Sequence, residues 1–101
     1  MYITRGSTPQ INLNLSVETR DIAEIYITFT QYDGIKIEKT KTDCLFSENM
    51  VSFRLTQKET LNLRASYVLN VQARIKLKDG RVLPTNVCKA DVCCVLKDGE
   101  I

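Results

Sequence analysis

Tyr67-Val68-Leu69-Asn70-Val71-Gln72-Ala73-Arg74-Ile75-Lys76-Leu77 decides the fold. Every odd position is apolar, and after Val68 every even one is polar or charged. Side chains of an extended strand alternate faces with a period of two. The stretch therefore reads as one long strand, Ser66 to Lys78, with a dry face and a wet one. A half-buried strand of this kind is the unit of antiparallel β-structure.

The same alternation returns on both sides of it. Gln10–Val17 places Ile11, Leu13, Leu15 and Val17 on one face, with Pro9 at the strand head, where its missing N–H costs least. Ile25–Gln31 turns Ile25, Ile27 and Phe29 inward and Tyr26, Thr28 and Thr30 outward. Asp33-Gly34 then marks a hairpin, read as type I′, into Ile35–Thr40. Asp43–Phe46 reads as a brief strand before the Ser47-Glu48-Asn49 turn. Met50–Leu55 follows with Val51, Phe53 and Leu55 inward. Asp79-Gly80 is a second hairpin turn, and Pro84 marks an edge or bend in the returning chain. Asn86–Leu96 reads as the last strand, with Cys88, Ala90, Val92 and Cys94 on one face and a bulge at Cys93-Cys94.

Two segments break the pattern. Glu18–Asp21 is a polar connection leading to a helical turn around Ile22-Ala23. Thr56, with Glu59 three residues on, fits a capping box. It opens a single helical turn, running to about Leu63, that drops Leu61 or Leu63 onto the open end of the core. No helical pattern is longer. Short strands with turns between them indicate an all-β, immunoglobulin-like antiparallel β-sandwich of about seven strands with one short helical crossover. A chain of 101 residues makes one domain, with residues 1–8 as an extended arm and 97–101 as a loose tail.

A net charge of +2, with Lys36, Lys39 and Lys41 interleaved with Glu38, is no footprint for nucleic acid. No run of about 18 apolar residues offers a membrane span. Met1–Gly6 opens no hydrophobic run of the kind a signal peptide needs, so the expected place of the chain is the cytoplasm, unless an assembly carries it out. Cys44, Cys88, Cys93 and Cys94 lack the secreted context of a disulfide framework and the spacing of a zinc knuckle. Some of them read as small buried hydrophobes and one as partly exposed, with a redox or metal role as the alternative. The chain contains no histidine, so the usual base for an activated nucleophile is missing. The carboxylates Glu18, Asp21 and Glu24 sit in or beside a polar loop, where solvation is their default. No glycine-rich phosphate loop is present. The expectation is a chain without catalytic residues, metal or cofactor.

What remains is surface. The first strand turns Gln10, Asn12, Asn14 and Ser16 outward with no lysine to guard an edge. Tyr2, Ile3 and Arg5 of the arm, with Asn12 and Asn14, are therefore candidate assembly contacts. Removal of Met1–Thr8 is expected to weaken assembly and leave the sandwich folded. Tyr26 and Tyr32 are the candidate patch for a carbohydrate or protein ligand.

Three motifs carry a resemblance: Met1-Tyr2-Ile3-Thr4-Arg5-Gly6-Ser7-Thr8-Pro9, Leu55-Thr56-Gln57-Lys58-Glu59-Thr60-Leu61, and Val71-Gln72-Ala73-Arg74 leading to an Asp-Gly hairpin. Together they resemble the small β-sandwich proteins of phages and prophages of Gram-positive (Firmicutes-type) bacteria. More loosely, they resemble the N-terminal sandwich domain of phage baseplate upper proteins. The resemblance spans nearly the whole chain and implies a non-enzymatic tail or baseplate component. Its partners would be copies of itself and larger tail proteins, first in the bacterial host cytoplasm and then in the virion. The cysteines near the end of the chain depart from that pattern.

Overall fold

The computed structural model describes residues Met1–Ile101. Two sheets pack face to face. The larger is built from β1 (Tyr2–Thr4), β3 (Ile22–Gln31), β4 (Gly34–Thr40), β7 (Leu69–Leu77), β8 (Val82–Pro84) and β9 (Cys88–Cys93), in the order β1-β9-β7-β3-β4. β8 shares one edge of β7 with β9. β9 pairs with Leu69–Val71 and β8 with Arg74–Lys76. The smaller sheet is β2 (Gln10–Asn14), β6 (Met50–Arg54) and β5 (Leu45–Ser47), in the order β2-β6-β5. In immunoglobulin lettering β3, β7 and β9 stand as C, F and G, and β2, β6 and β5 as B, E and D.

The alternation that defines β7 is the alternation that is buried. Leu69, Val71, Ala73, Ile75 and Leu77 all lie in the core. β3 pairs with β7 along nearly its whole length, Ile25 opposite Ile75 and Phe29 opposite Val71. It contributes Ile22, Ile25, Ile27 and Phe29 to the same core, and β6 supplies Val51 and Phe53 from the other sheet. Phe29 meets Phe53 edge to face at 5.9 Å and 82°, the geometry that ring quadrupoles favour. This contact joins the sheets at their centre.

Between β6 and β7 the chain crosses by α1 (Gln57–Leu61). The capping box is formed: the Glu59 amide donates to the Thr56 hydroxyl, and the Thr56 amide donates to the Glu59 carboxylate. Of the two leucines considered for the core, Leu63 is buried and Leu61 only half-buried. The Glu59 carboxylate also takes the Lys39 ammonium at 2.8 Å, so a lysine pointing inward from β4 is paired rather than stranded.

The structure corrects several expectations of the fold. Residues 1–8 are no free arm: Tyr2–Thr4 forms β1, which lies parallel to β9 with Ile3 opposite Val92, so the sandwich is not wholly antiparallel. Both Asp-Gly turns keep an ordinary φ at the aspartate, and only Gly34 (φ 121°) and Gly80 (φ 94°) are left-handed. A type I′ turn needs both central residues left-handed, so these are turns followed by a glycine bulge. The Asp79 carboxylate supports its turn by accepting the Arg81 amide at 3.0 Å. Pro84 ends β8, as its place in the returning chain implies, but the last strand is shorter than Asn86–Leu96, because the chain re-forms a ladder only at Cys88. It ends at Cys93 with no bulge there. The segment 97–101 is exposed, and at its end the Gln57 side-chain amide donates to the Ile101 carbonyl and accepts from the Ile101 N–H.

Candidate interaction surfaces

The first surface is the outer edge of β2. Its pairing with β6 runs Gln10↔Arg54 through Asn14↔Met50. Flanking bonds fix the direction of its backbone groups: the Leu55 amide donates to the Pro9 carbonyl, and the Leu15 amide donates to the Asn49 carbonyl. Antiparallel bonding repeats every second residue, so Ile11, Leu13 and Leu15 face β6 with their main-chain groups. The N–H and C=O groups of Gln10, Asn12 and Asn14 then face away, where no strand of the chain pairs with them. In a constant-type immunoglobulin sheet strand A lies in this place, beside B. Here β1 has gone to the other sheet, and the place beside β2 is open.

The other edges differ. β1 and β5 are three residues each. β4 is long, but its register shifts opposite Phe29/Thr30, and it carries Lys36, Glu38 and the inward Lys39. Bulges and inward charges are the usual guards of an edge strand. β2 has neither, and its outward side chains Gln10, Asn12 and Asn14 are exposed and uncharged. Leu13, which faces the core, is only half-buried, whereas Ile11 and Leu15 on the same face are buried.

The second surface is an aromatic corner at one end of β3. Gln31, the last residue of that strand, is buried, and its side chain latches the loop that enters β7. It accepts the Arg64 amide at 2.8 Å and donates to the carbonyls of Arg64 and Tyr67 at 2.9 and 3.2 Å. The latch lifts Tyr67 out of the sheet and lays it on Tyr32, ring centres 4.5 Å apart and tilted by 36°. Arg64 reaches Asp33 at 3.0 Å, and Lys36 reaches the same carboxylate oxygen at 2.8 Å. The hydrogen bond from Lys36 holds the Asp33 carboxyl below the usual carboxylate range, and Arg64 acts in the same direction.

Tyr26 is not part of this corner. It stands on the outer face of β3 beside Arg74, six residues from Tyr32 along an extended chain, which is about 20 Å. A shallow groove of about 340 Å³ runs past it, lined by Glu24, Thr28, Glu38, Arg74 and Val82. The two tyrosines grouped as one candidate patch are thus separate, and the neighbour of Tyr32 is Tyr67, which the alternation places on the dry face of the long strand. Its odd position continued the alternation of β7. The Gln31 latch, which breaks the alternation, involves residues 33 to 36 positions away and leaves no local signal.

Of the arm residues, Tyr2 is exposed, but Ile3 is 1% exposed inside the core and is no surface contact. Arg5 is also engaged within the chain: its guanidinium donates to the carbonyls of Leu63 and Leu61 at 3.0 and 2.9 Å. It ties the β1 end to the crossover. Asn12 and Asn14 remain exposed at the open edge. The cysteines are distributed differently from expectation: Cys88 and Cys94 are exposed, Cys44 and Cys93 half-buried, and none is fully buried. Burial pushes the Cys44 thiol up. No group of three or more Cys, Asp or Glu side chains is placed to hold a metal ion, and no helix is long and apolar enough to cross a membrane. Comparison with family models and with curated proteins finds no match to this chain.

Proposed function

We propose that the chain is a non-enzymatic structural subunit of a phage or prophage tail or baseplate. It acts by self-association or by docking to larger tail proteins, in the host bacterial cytoplasm during assembly and then in the virion. One observation carries the assembly reading: β2 presents a five-residue edge whose outward main-chain groups have no partner strand and no guard. Such an edge takes an added strand by main-chain hydrogen bonds alone. The phage setting is supported by the resemblance of the Met1–Pro9, Leu55–Leu61 and Val71–Arg74 motifs.

A second reading, a carbohydrate- or protein-binding module, is favoured by the exposed Tyr32–Tyr67 pair beside Arg64. Tyrosine and arginine are the residues that concentrate binding energy at interfaces. In that reading Tyr67 replaces Tyr26.

The test is the solution mass by light scattering after gel filtration, in reducing buffer and over a range of concentrations. A discrete oligomer that grows in with concentration is expected. A monomer at every concentration would remove self-association from the reading.

A further inference from the structure

We propose that two copies of the chain join through β2, antiparallel about a two-fold axis at Asn12, so that the two small sheets become one continuous six-stranded sheet. The proposal rests on the assembly reading above and names the partner and the register.

The argument begins with which groups are free. The main-chain groups of Gln10, Asn12 and Asn14 point away from β6, and Ile11 and Leu13 point theirs toward it. A two-fold axis through Asn12 sets Asn12 opposite Asn12 of the second copy, and Gln10 opposite Asn14. Each of these positions offers both its N–H and its C=O on the open side, so all three form doubly bonded pairs, giving about six main-chain hydrogen bonds. An axis at Ile11 or Leu13 would also pair even positions with even positions, but fewer of the three would find a partner within the strand.

Side-chain chemistry favours a copy of the same edge. On the outer face the pairs are Asn with Asn and Gln with Asn. A carboxamide both donates and accepts, so it complements itself. No charged side chain of the strand meets its own copy, which is the usual obstacle to pairing a strand with itself. On the inner face Ile11 of one copy lies opposite Leu13 of the other. Leu13 is half-buried on that face, and the pairing sets an apolar side chain beside it. The contact is isologous and closes on itself, so it stops at two chains.

Engineered cysteines test the register. In a background with Cys88→Ser and Cys94→Ser, which removes the exposed thiols, Asn12→Cys should oxidise to a disulfide-linked dimer. Doubly bonded pairs place Cα atoms about 5.5 Å apart, within disulfide range. Gln10→Cys alone and Asn14→Cys alone should link at least about tenfold less, and the two combined should link again. Equal linking at all three positions, or none at Asn12→Cys, overturns the proposal. Asn12→Lys, which sets two ammonium groups face to face, should weaken the dimer about tenfold or more while the far-ultraviolet circular dichroism stays unchanged. An oligomer indifferent to Asn12→Lys overturns this pairing and leaves the assembly reading intact. A chain that is monomeric throughout removes both the pairing and self-association.

Discussion

Removing Met1–Thr8 is expected to unfold much of the sandwich rather than to detach an arm. The segment ends in the core: Ile3 is 1% exposed and pairs beside Val92, where removal of its side chain alone costs about 2–5 kcal/mol. The strand bonds go with it, the Asp91 amide to the Met1 carbonyl at 2.9 Å and the Arg5 amide to the Cys93 carbonyl at 3.1 Å. So do the Arg5 guanidinium bonds to Leu61 and Leu63. Thr60, fully buried, loses the Gly6 amide that donates to its hydroxyl and the Ser7 carbonyl that accepts from it. Each lost bond is worth about 1 kcal/mol, and more where a buried partner is left unsatisfied. The total is of the order of the whole stability of a domain this size, about 5–15 kcal/mol. Urea titration followed by circular dichroism checks it, with Ile3→Ala as the milder variant. A truncated chain with the full-length midpoint would show that β1 contributes nothing.

The second large effect is at the centre of the core. Phe29→Ala should destabilise by about 3–5 kcal/mol, because the site is fully enclosed and the ring joins the two sheets through Phe53. In a domain of this length that is a fall in Tm of about 15–30 °C. The control is Tyr26→Ala, on the opposite face of the same strand and exposed, expected to cost about 0.5 kcal/mol or less. Equal losses at the two positions would mean that the inward face of β3 has been misassigned.

The strength of these expectations follows what the sequence made legible. The inward faces of β2, β3, β6 and β7 could be read directly, since period-two alternation is a local pattern and burial follows it. The capping box at Thr56 and Glu59 is local too. β1 escaped because three residues with one buried isoleucine make no pattern; it is a strand only because Val92 lies beside it. Its parallel direction is a property of partner choice between residues about ninety positions apart, on which alternation is silent. Tyr67 was misplaced for the same kind of reason, since a buried glutamine from another strand decides its position. Asn12 and Asn14 stand out in the sequence only as part of an unguarded polar row. That the row lies at an open edge became visible only when β1 proved to have joined the other sheet.

That open edge is the central claim, and amide hydrogen exchange by NMR tests it most directly. In dilute protein the N–H groups of Asn12 and Asn14 should exchange about as fast as unstructured amides, while those of Ile11 and Leu13, bonded to β6, are protected. At high concentration Asn12 and Asn14 should become protected as well, with Ile11 and Leu13 unchanged. Protection of Asn12 and Asn14 at every dilution would mean that the edge is already closed within one chain, and exchange that stays fast at high concentration would mean that no second strand adds to it.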